Sequence, residues 1–174
     1  MSFKNHIVLV GLPGVGKTSI GKRLSKMLDE IHVDIDKEIQ KDQDMSISKL
    51  INTKGELFFR NLEKDKLSVI MDSPSTLIVS SGGGVVLSSQ NRRIIKSKSL
   101  GVYIKSKTSN IAKRLDTLSR PLLYNTNKKE QLDAMLKDRS NFYKEVSDIE
   151  VDVTDLTLQE SAKKVYQKVQ SARG

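Results

Sequence analysis

The segment from Gly11 to Thr18 reads GLPGVGKT and matches the pattern G-x-x-x-x-G-K-[ST] in full. In this pattern the glycines let backbone N–H groups turn inward around phosphates, the lysine reaches the outer two phosphates, and the hydroxyl binds Mg²⁺. The apolar run IVLV before the segment predicts a buried strand, and the helix predicted after it adds its positive end. This context argues against the alternative, a chance match in an ordinary strand-turn-helix. We therefore expect Lys17 and Thr18 to bind a nucleoside triphosphate together with Mg²⁺.

Two aspartates follow the next apolar run along the chain. Asp34 and Asp36 are separated by one residue, so their carboxylates point the same way if the segment is extended. With a turn into a helix at Lys37, one carboxylate could serve Mg²⁺ while the other faces a second substrate. The alternative is a helix N-terminal cap with a surface acid beside it.

Three consecutive glycines, Gly82, Gly83 and Gly84, come directly after a third apolar run and two serines. Glycine loses more conformational freedom on folding than any other residue, so three in a row at a strand end are costly. The run predicts a close approach of the backbone to a ligand, with a mobile loop as the alternative.

Three arginines are candidates for binding an anion. Arg60 lies on a predicted amphipathic helix, where an ion pair with Glu56 or Glu63 is the simpler interpretation. Arg120 lies in a predicted loop between two helices, and Arg139 lies in a polar helix whose default role is a solvated face.

Short apolar runs alternate along the chain with segments of helical periodicity. The predicted strands are 6–10, 31–34, 76–80, 101–104 and 149–153, and helices are predicted near 17–28, 46–53, 56–71, 89–97, 109–115, 129–145 and 158–172. Such alternation is typical of βαβ units, which build a mostly parallel sheet covered by helices on both faces. Ligands of such sheets bind beyond the carboxyl ends of the strands. His6 and His32 fall inside predicted strands, and we expect both to be structural.

The last predicted helix has the clearest local signals. Thr157 and Glu160 have the spacing of a capping box. An apolar stripe follows at helical spacing, formed by Leu158, Ala162, Val165 and Val169.

Length and composition limit the class of protein. A chain of 174 residues is the size of one domain, so we expect a single domain over 1–174. No stretch approaches the ~18 apolar residues of a membrane span, and the first residues lack a signal-peptide pattern. The absence of cysteine excludes disulfides, thiolate metal sites and a cysteine nucleophile. We expect a soluble, cytoplasmic monomer with no membrane partner.

The net charge of +9 allows two interpretations. Lys and Arg are scattered along the chain, which indicates a solvated surface whose field attracts small anionic substrates. Nucleic-acid binding is the alternative, and it favours aromatic side chains between the basic ones. The chain has only four Phe, four Tyr and no Trp, so we expect no nucleic-acid partner.

Taken in order, these segments resemble the shikimate kinase family over nearly the whole chain. The resemblance rests on the phosphate loop, Asp34-x-Asp36, Phe59-Arg60, Gly82-Gly83-Gly84, Arg120-Pro121-Leu122-Leu123 and Arg139. It implies an α/β P-loop fold like that of the nucleoside monophosphate kinases, in three layers, with a five-stranded parallel sheet flanked by helices. It also implies an acceptor-binding segment at 34–61 and a mobile lid at 112–125. The implied reaction transfers the γ-phosphate of ATP to the 3-hydroxyl of shikimate, in aromatic amino-acid biosynthesis.

The same resemblance implies a role for each matching residue. Asp36 would accept the hydrogen bond of the acceptor hydroxyl, and Arg60 and Arg139 would hold the shikimate carboxylate beside the glycine run. Asp34 would support Mg²⁺ through water, with Thr18 as its direct ligand. The residues implied for ATP are Gly14, Val15, Gly16, Lys17, Thr18 and Ser19, with Arg120 from the lid.

The chain departs from the family in one loop. Some members carry an arginine near the adenine in the late loop, whereas the stretch DVTD at 152–155 has none. We therefore expect Lys113 or Arg114 to support the base.

Two other classes of function share the phosphate loop. One is a kinase for another small acceptor, such as gluconate or a nucleoside monophosphate. The other is a nucleotide-dependent switch or an ATPase stimulated by nucleic acid.

Overall fold

Five strands form one parallel sheet in the computed structural model, which describes residue 4 and residues 6–118 and 127–174. The strands are β1 (His6–Val10), β2 (Ile31–Asp34), β3 (Leu77–Ser80), β4 (Ser99–Lys105) and β5 (Ile149–Asp152). Their order across the sheet is β2-β3-β1-β4-β5. The predicted parallel sheet is therefore confirmed.

The phosphate loop follows the central strand of this sheet. β1 pairs with β3 on one side and β4 on the other, with Ile7 opposite both Ile78 and Leu100. All five residues of β1 are buried. A strand covered on both faces has no solvent side, which explains why its sequence is a continuous apolar run without alternation.

Eight α-helices and one short 3₁₀ helix are present in the described residues. The α-helices are α1 (Lys17–Leu28), α2 (Ile35–Gln43), α3 (Ile47–Lys54), α4 (Glu56–Met71), α5 (Ser89–Lys98), α6 (Thr108–Leu118), α7 (Lys128–Val146) and α8 (Leu158–Arg173), and the 3₁₀ helix is Val85–Leu87. Within this part of the chain, no helix has both the length and the apolar character needed to cross a membrane.

α2 was not among the helices whose ranges we predicted, and the turn into a helix after β2 comes earlier than the Lys37 that we predicted. We predicted an extended segment through Asp36, but the chain becomes helical at Ile35, immediately after β2. The sequence IDKEIQKDQ is short and polar, and only Ile35 and Ile39 are buried, so its apolar signal is too weak to reveal the helix. The other predicted helices are present, with ends within about three residues of those expected.

Both histidines have structural partners, as predicted. His6 is buried, and its Nδ1 accepts a hydrogen bond from the Leu77 backbone at 3.2 Å. His32 Nε2 lies 2.8 Å from the Ser80 hydroxyl. Each contact joins two neighbouring strands, β1 to β3 for His6 and β2 to β3 for His32.

The start of α8 forms the predicted capping box. The Thr157 hydroxyl accepts from the Glu160 backbone, and the Glu160 carboxylate accepts from the Thr157 backbone at 2.7 Å. Of the apolar stripe, Ala162, Val165 and Val169 are buried, but Leu158 is 38% exposed. The first turn of α8 therefore extends past the core toward the cleft that contains the phosphate loop.

Candidate active site

The loop between β1 and α1 has the backbone shape that its glycines predict. Gly14 and Gly16 adopt φ values of 80° and 108°, which side-chain-bearing residues rarely adopt. Gly16 directly precedes the first turn of α1, so the N–H groups of that turn lie at the loop. This combination of inward backbone donors and a helix N-terminus suits an anion such as a phosphate.

Lys17 lies inside this loop. Its side chain is buried, and Nζ donates to the carbonyl oxygens of Gly11 and Leu12, both at 2.8 Å. Burial lowers the pKa of Lys17 to about 8, and the nearby charges of Asp36 and Asp34 oppose that shift. A bound phosphate would add negative charge beside the amine and stabilise its protonated form.

Thr18 and Asp34 are hydrogen-bonded to each other across the cleft. The Thr18 hydroxyl donates to Oδ2 of Asp34, while Oδ1 of Asp34 accepts from the Lys37 backbone at 3.1 Å. Asp34 is therefore the N-cap of α2 as well as a partner of the phosphate loop. The two interpretations of this residue, helix cap and site residue, are both compatible with its geometry.

The donors near Thr18 fit Mg²⁺ bound mainly through phosphate and water. Among the described residues, no group of three or more His, Asp or Glu side chains could hold a metal ion by itself. Mg²⁺ keeps several waters and is commonly bound through one or two protein oxygens plus substrate phosphates. A hydroxyl and a carboxylate in contact beside a phosphate loop match that requirement.

Asp36 lies in the first turn of α2, on the same side of the cleft. Its Oδ1 is buried and has no hydrogen-bond partner in the described part of the chain. Burial, and then the charge of Asp34, raise the pKa of Asp36, while Lys17 and Arg60 lower it. Since Asp34 caps the helix, the Asp36 carboxylate is available to a ligand.

Arg60 forms the ion pairs that its helical spacing predicted. Its guanidinium contacts Glu63 at 2.9 Å and Glu56 at 3.4 Å. Glu63 is 1% exposed, and burial raises its pKa, with Arg60 opposing the shift. Nε of Arg60 and Oε2 of Glu63 are buried without a partner among the described residues. The ion pair therefore leaves polar atoms unsatisfied at the cleft.

The three glycines are needed for space and not for unusual backbone angles. None of them has a positive φ. A methyl group at Gly82 would lie 2.9 Å from Oε2 of Glu63, and one at Gly83 would lie 2.7 Å from Cδ of Pro13. One at Gly84 would meet the guanidinium of Arg60. The loop thus approaches two other segments of the protein closely, α4 and the phosphate loop, and the predicted approach to a ligand stays a prediction.

Arg139 lies on α7, close enough to Lys17, Glu63 and Tyr143 for its charge to lower the pKa of each. Tyr143, one turn later on α7, donates a hydrogen bond of 2.5 Å from its hydroxyl to the Gly83 carbonyl. The glycine loop is therefore contacted by Arg60 from α4 and by Tyr143 from α7, the helix that carries Arg139.

One cavity of about 300 Å³ joins the phosphate loop to the aspartates and the glycines. Its lining contains Pro13, Gly14, Gly16, Lys17, Thr18, Ser19, Asp34, Asp36, Ser81, Gly82, Gly83 and Arg114. Arg60 and Glu63 line an adjoining cavity with Gly84. Residues separated by about seventy positions in the sequence thus share one cleft at the carboxyl ends of the strands, as open parallel sheets predict.

Arg114, on α6, contacts the phosphate loop. Its Nη1 donates to the Val15 carbonyl at 2.9 Å, and it lines a cavity with Ser19, Leu156 and Leu158. Lys113 and Arg114 both line a neighbouring cavity with Asp155. These are the two residues that we expected near the base.

Two site residues were not identified from the sequence. Glu63 was considered only as an ion-pair partner of Arg60. Its spacing of three residues from Arg60 on the same helix was the one signal that could have placed it in the site. Tyr143 could have been found from its spacing, four residues after Arg139 on one helix face. Of the expected lid at 112–125, residues 112–118 are the end of α6, whereas residues 119–125, including Arg120, lie outside the described residues.

Comparison with known proteins agrees with the resemblance found in the sequence. A family model for shikimate kinase matches residues 13–170. The shikimate kinase of Dictyoglomus turgidum is 35% identical over 170 residues, which cover 95% of this chain and 98% of that protein. The shikimate kinase of Alkaliphilus oremlandii is 34% identical, covering 92% and 96%.

A solved structure gives the same result. The shikimate kinase from Acinetobacter baumannii in complex with shikimate is 27% identical, with a TM-score of 0.87 over 98% of this chain and 96% of that one. The predicted family and fold are thereby confirmed. This chain belongs to the shikimate kinase family.

Proposed function

We propose that this chain transfers the γ-phosphoryl group of ATP to the 3-hydroxyl of shikimate, giving shikimate 3-phosphate and ADP. Family membership supports the reaction and both substrates. The observation that carries the proposal for this chain is the single cleft in which Lys17 of the phosphate loop, the unpartnered Asp36 carboxylate and the glycine loop meet.

The acceptor half of this cleft suits a hydroxylated carboxylic acid. Arg60 lies against Gly84, and α7, which carries Arg139, contacts Gly83 through Tyr143. A guanidinium holds a carboxylate through two parallel hydrogen bonds, and Arg60 and Arg139 would act in this way. Asp36 would accept the hydrogen bond of the reacting hydroxyl, and its partnerless Oδ1 supports that role. The carboxylate grip would fix the ring, and Asp36 would orient the attacking oxygen.

The nucleotide half would hold ATP through the loop backbone from Gly14 to Ser19, with Arg114 on the side of the base. Thr18 would bind Mg²⁺ directly, and Asp34 would do so through water. The cation would neutralise phosphate charge when bound. Lys17 would contact the outer phosphates, and Arg120 would contact them from the lid.

In the transfer step, a bond forms between the 3-oxygen of shikimate and the γ-phosphorus, and the bond from that phosphorus to the β–γ bridging oxygen breaks. The proton of the hydroxyl passes to the Asp36 carboxylate, and the bridging oxygen leaves with ADP. Such transfers depend chiefly on alignment and on neutralising the charge of the moving group. Lys17 and Arg120 would supply positive charge, and Asp36 would supply alignment.

ADP release in the presence of different acceptors tests this proposal. Shikimate, gluconate, nucleoside monophosphates and single-stranded DNA would be compared at equal concentration with ATP and Mg²⁺. Gluconate is the sharpest competitor because it also carries a carboxylate and hydroxyls. We expect rapid ADP release with shikimate only, and much slower release with its methyl ester, which cannot form the ion pairs. Faster turnover of gluconate or a monophosphate would overturn the substrate assignment.

Several other properties stay predictions for this chain. They are the Mg²⁺ requirement, the cytoplasmic location, the monomeric state and the lack of a nucleic-acid partner. Omitting Mg²⁺ from the same assay tests the first of these, and the DNA arm tests the last.

A further inference from the structure

We propose that Ser80 and His32 are positioning residues that hold the first turn of α1, and with it the phosphate loop, in the geometry that binds ATP. The contacts run from His32 in β2, through the Ser80 hydroxyl in β3, to the backbone of Lys17 in α1. This inference rests on the part of the proposed function in which the phosphate loop binds ATP. Neither side chain touches a substrate in our account.

The start of α1 has no side-chain cap. Its N-cap is Gly16, which has no side chain to accept a hydrogen bond from the first turn. Four other helices in the described part of the chain, α2, α3, α5 and α8, do begin with a side-chain cap. A cap would occupy N–H donors that a phosphate at a helix N-terminus needs. The first turn of α1 must therefore be held through other atoms.

Ser80 supplies such a contact from the sheet. Its hydroxyl lies 3.0 Å from the backbone carbonyl oxygen of Lys17, the first residue of α1. A carbonyl oxygen accepts hydrogen bonds and cannot donate them, so the hydroxyl is the donor. Ser80 is only 1% exposed, so water does not compete for this bond. The contact holds the first turn and uses none of its N–H groups.

His32 fixes the direction of that hydroxyl. Nε2 of His32 lies 2.8 Å from the Ser80 oxygen. A serine hydroxyl has one proton, and because that proton is directed to Lys17, the Ser80 oxygen must accept from His32. The imidazole therefore carries a proton on Nε2. The hydrogen bonds run in one direction, from His32 through Ser80 to Lys17.

The same two side chains pack against α1 one turn further along. A methyl group at Gly21 would lie 2.7 Å from Nε2 of His32 and 2.7 Å from Oγ of Ser80. The first turn has a further contact with the sheet, from the Thr18 hydroxyl to Asp34. In the proposed function that hydroxyl binds Mg²⁺ instead, whereas the bond from Ser80 involves no atom that a ligand uses.

Ser99 provides a matched control for Ser80. It is also a buried serine of a strand, and its hydroxyl donates to a helix carbonyl, that of Ile95, at 2.7 Å. Ile95 belongs to α5, which contributes no residue to the cavity at the phosphate loop. Ser99→Ala therefore removes a similar buried hydrogen bond without reaching that loop.

The test compares Ser80→Ala with Ser99→Ala in the full chain. The Kd for ATP with Mg²⁺ would be measured by calorimetry without an acceptor, together with the melting temperature and the KM for each substrate. We expect Ser80→Ala to raise the Kd and the KM for ATP about fivefold, the loss typical of one neutral hydrogen bond. The KM for shikimate should stay within about twofold. Ser99→Ala should change neither KM.

Two substitutions at His32 test the direction of the hydrogen bonds. His32→Gln keeps an N–H donor at about the reach of Nε2, whereas His32→Leu keeps bulk and has no donor. We expect His32→Leu to raise the Kd for ATP and His32→Gln to restore most of the affinity. Equal Kd values for these two variants would overturn the role of His32. This comparison stays decisive even if Ser80→Ala does not fold.

A purely structural role for Ser80 predicts a different result. Ser80→Ala would then lower the melting temperature as Ser99→Ala does and leave the Kd for ATP unchanged, or it would raise the KM of both substrates together. Either outcome would overturn the proposal. Because the Kd for ATP is measured without an acceptor, a parent that does not phosphorylate shikimate would overturn the proposed substrate alone. A parent that binds no ATP would overturn both.

Discussion

The guanidinium of Arg60 lies directly against the backbone of Gly84, so closely that a methyl group at Gly84 would be 2.5 Å from Nη2. The two residues are on α4 and at the start of the 3₁₀ helix, and they line one cavity together. Replacing the glycine would displace the arginine, because the guanidinium is the far end of a flexible side chain.

Gly84→Ala should therefore reduce acceptor affinity, and it should also lower stability to the extent that the displaced guanidinium leaves the buried Glu63 carboxylate unpaired. Gly84 has a φ of −98°, which alanine adopts without strain, so the effect should come only from the displaced guanidinium. We expect the KM for shikimate to rise about tenfold, with the KM for ATP unchanged. Steady-state kinetics and a melting curve check this. A stable variant with a normal KM for shikimate would show that Arg60 does not bind the shikimate carboxylate.

Arg60→Lys and Arg139→Lys should each weaken shikimate binding. Lysine keeps the charge but loses the planar fork of the guanidinium, so each variant should lose about 1.5–3 kcal/mol of shikimate binding. The KM for shikimate should therefore rise more than the KM for ATP. Arg93→Lys, an exposed arginine on α5, is the control and should behave like the parent. If only the KM for ATP changes, the assignment of these two arginines to the shikimate carboxylate is wrong.

Asp36→Asn tests whether the Asp36 carboxylate acts in the active site or only supports the start of α2. Asp34 caps α2, so folding should survive, and removal of a charge disfavoured by burial should leave the melting temperature equal or higher. We expect shikimate turnover to fall roughly 10²–10⁴-fold with ATP affinity retained. Asp44→Asn, at the exposed end of the same helix, should stay active. Turnover of Asp36→Asn within a few-fold of the parent would make Asp36 structural.

Arg120→Ala tests the lid residue implied by the family resemblance. Arg120 should contact the phosphates when the lid closes, whereas the loop from Gly14 to Ser19 binds ATP by itself. We therefore expect a strong fall in kcat with little change in the ATP dissociation constant, measured by calorimetry. An unchanged kcat would exclude Arg120 from the site.

Lys17→Met should stabilise the protein at neutral pH while abolishing activity. The folded-state pKa of about 8 is below the ordinary 10.5, so the unfolded chain binds this proton first as pH falls. As the pH falls from 10.5 to 8, the parent therefore loses stability through Lys17, and the variant does not. Urea unfolding at pH 7 and pH 10 should show the variant's advantage to be larger at pH 7, by about 2 kcal/mol. If the variant and the parent differ in unfolding free energy by the same amount at both pH values, Lys17 is not a buried amine with a lowered pKa.

The sequence alone determined the features whose causes are local. The phosphate loop is eight contiguous residues, and its glycines, lysine and threonine have one shared function that spacing reveals. The central strand is a continuous apolar run because both of its faces are buried. The capping box at Thr157 and Glu160 involves residues three apart, so nearest-turn geometry is enough to predict it.

Tertiary structure decided the features that depend on distant segments. Spacing showed that Arg60 could pair with Glu63, but only packing revealed that the pair is buried against Gly84 with polar atoms left over. The glycine run was predicted to bring its backbone close to a ligand, and in the structure the glycines make room for neighbouring side chains and have no positive φ angles.

The division between Asp34 and Asp36 has the same origin. As an extended pair they were equivalent in the sequence, but the chain turns into α2 at Ile35, so one caps the helix and the other lies in its first turn with an unpartnered oxygen. Likewise, Tyr143 and Gly83 are 60 residues apart. Their hydrogen bond depends on how α7 packs against the glycine loop, and no periodicity within either segment encodes that distance.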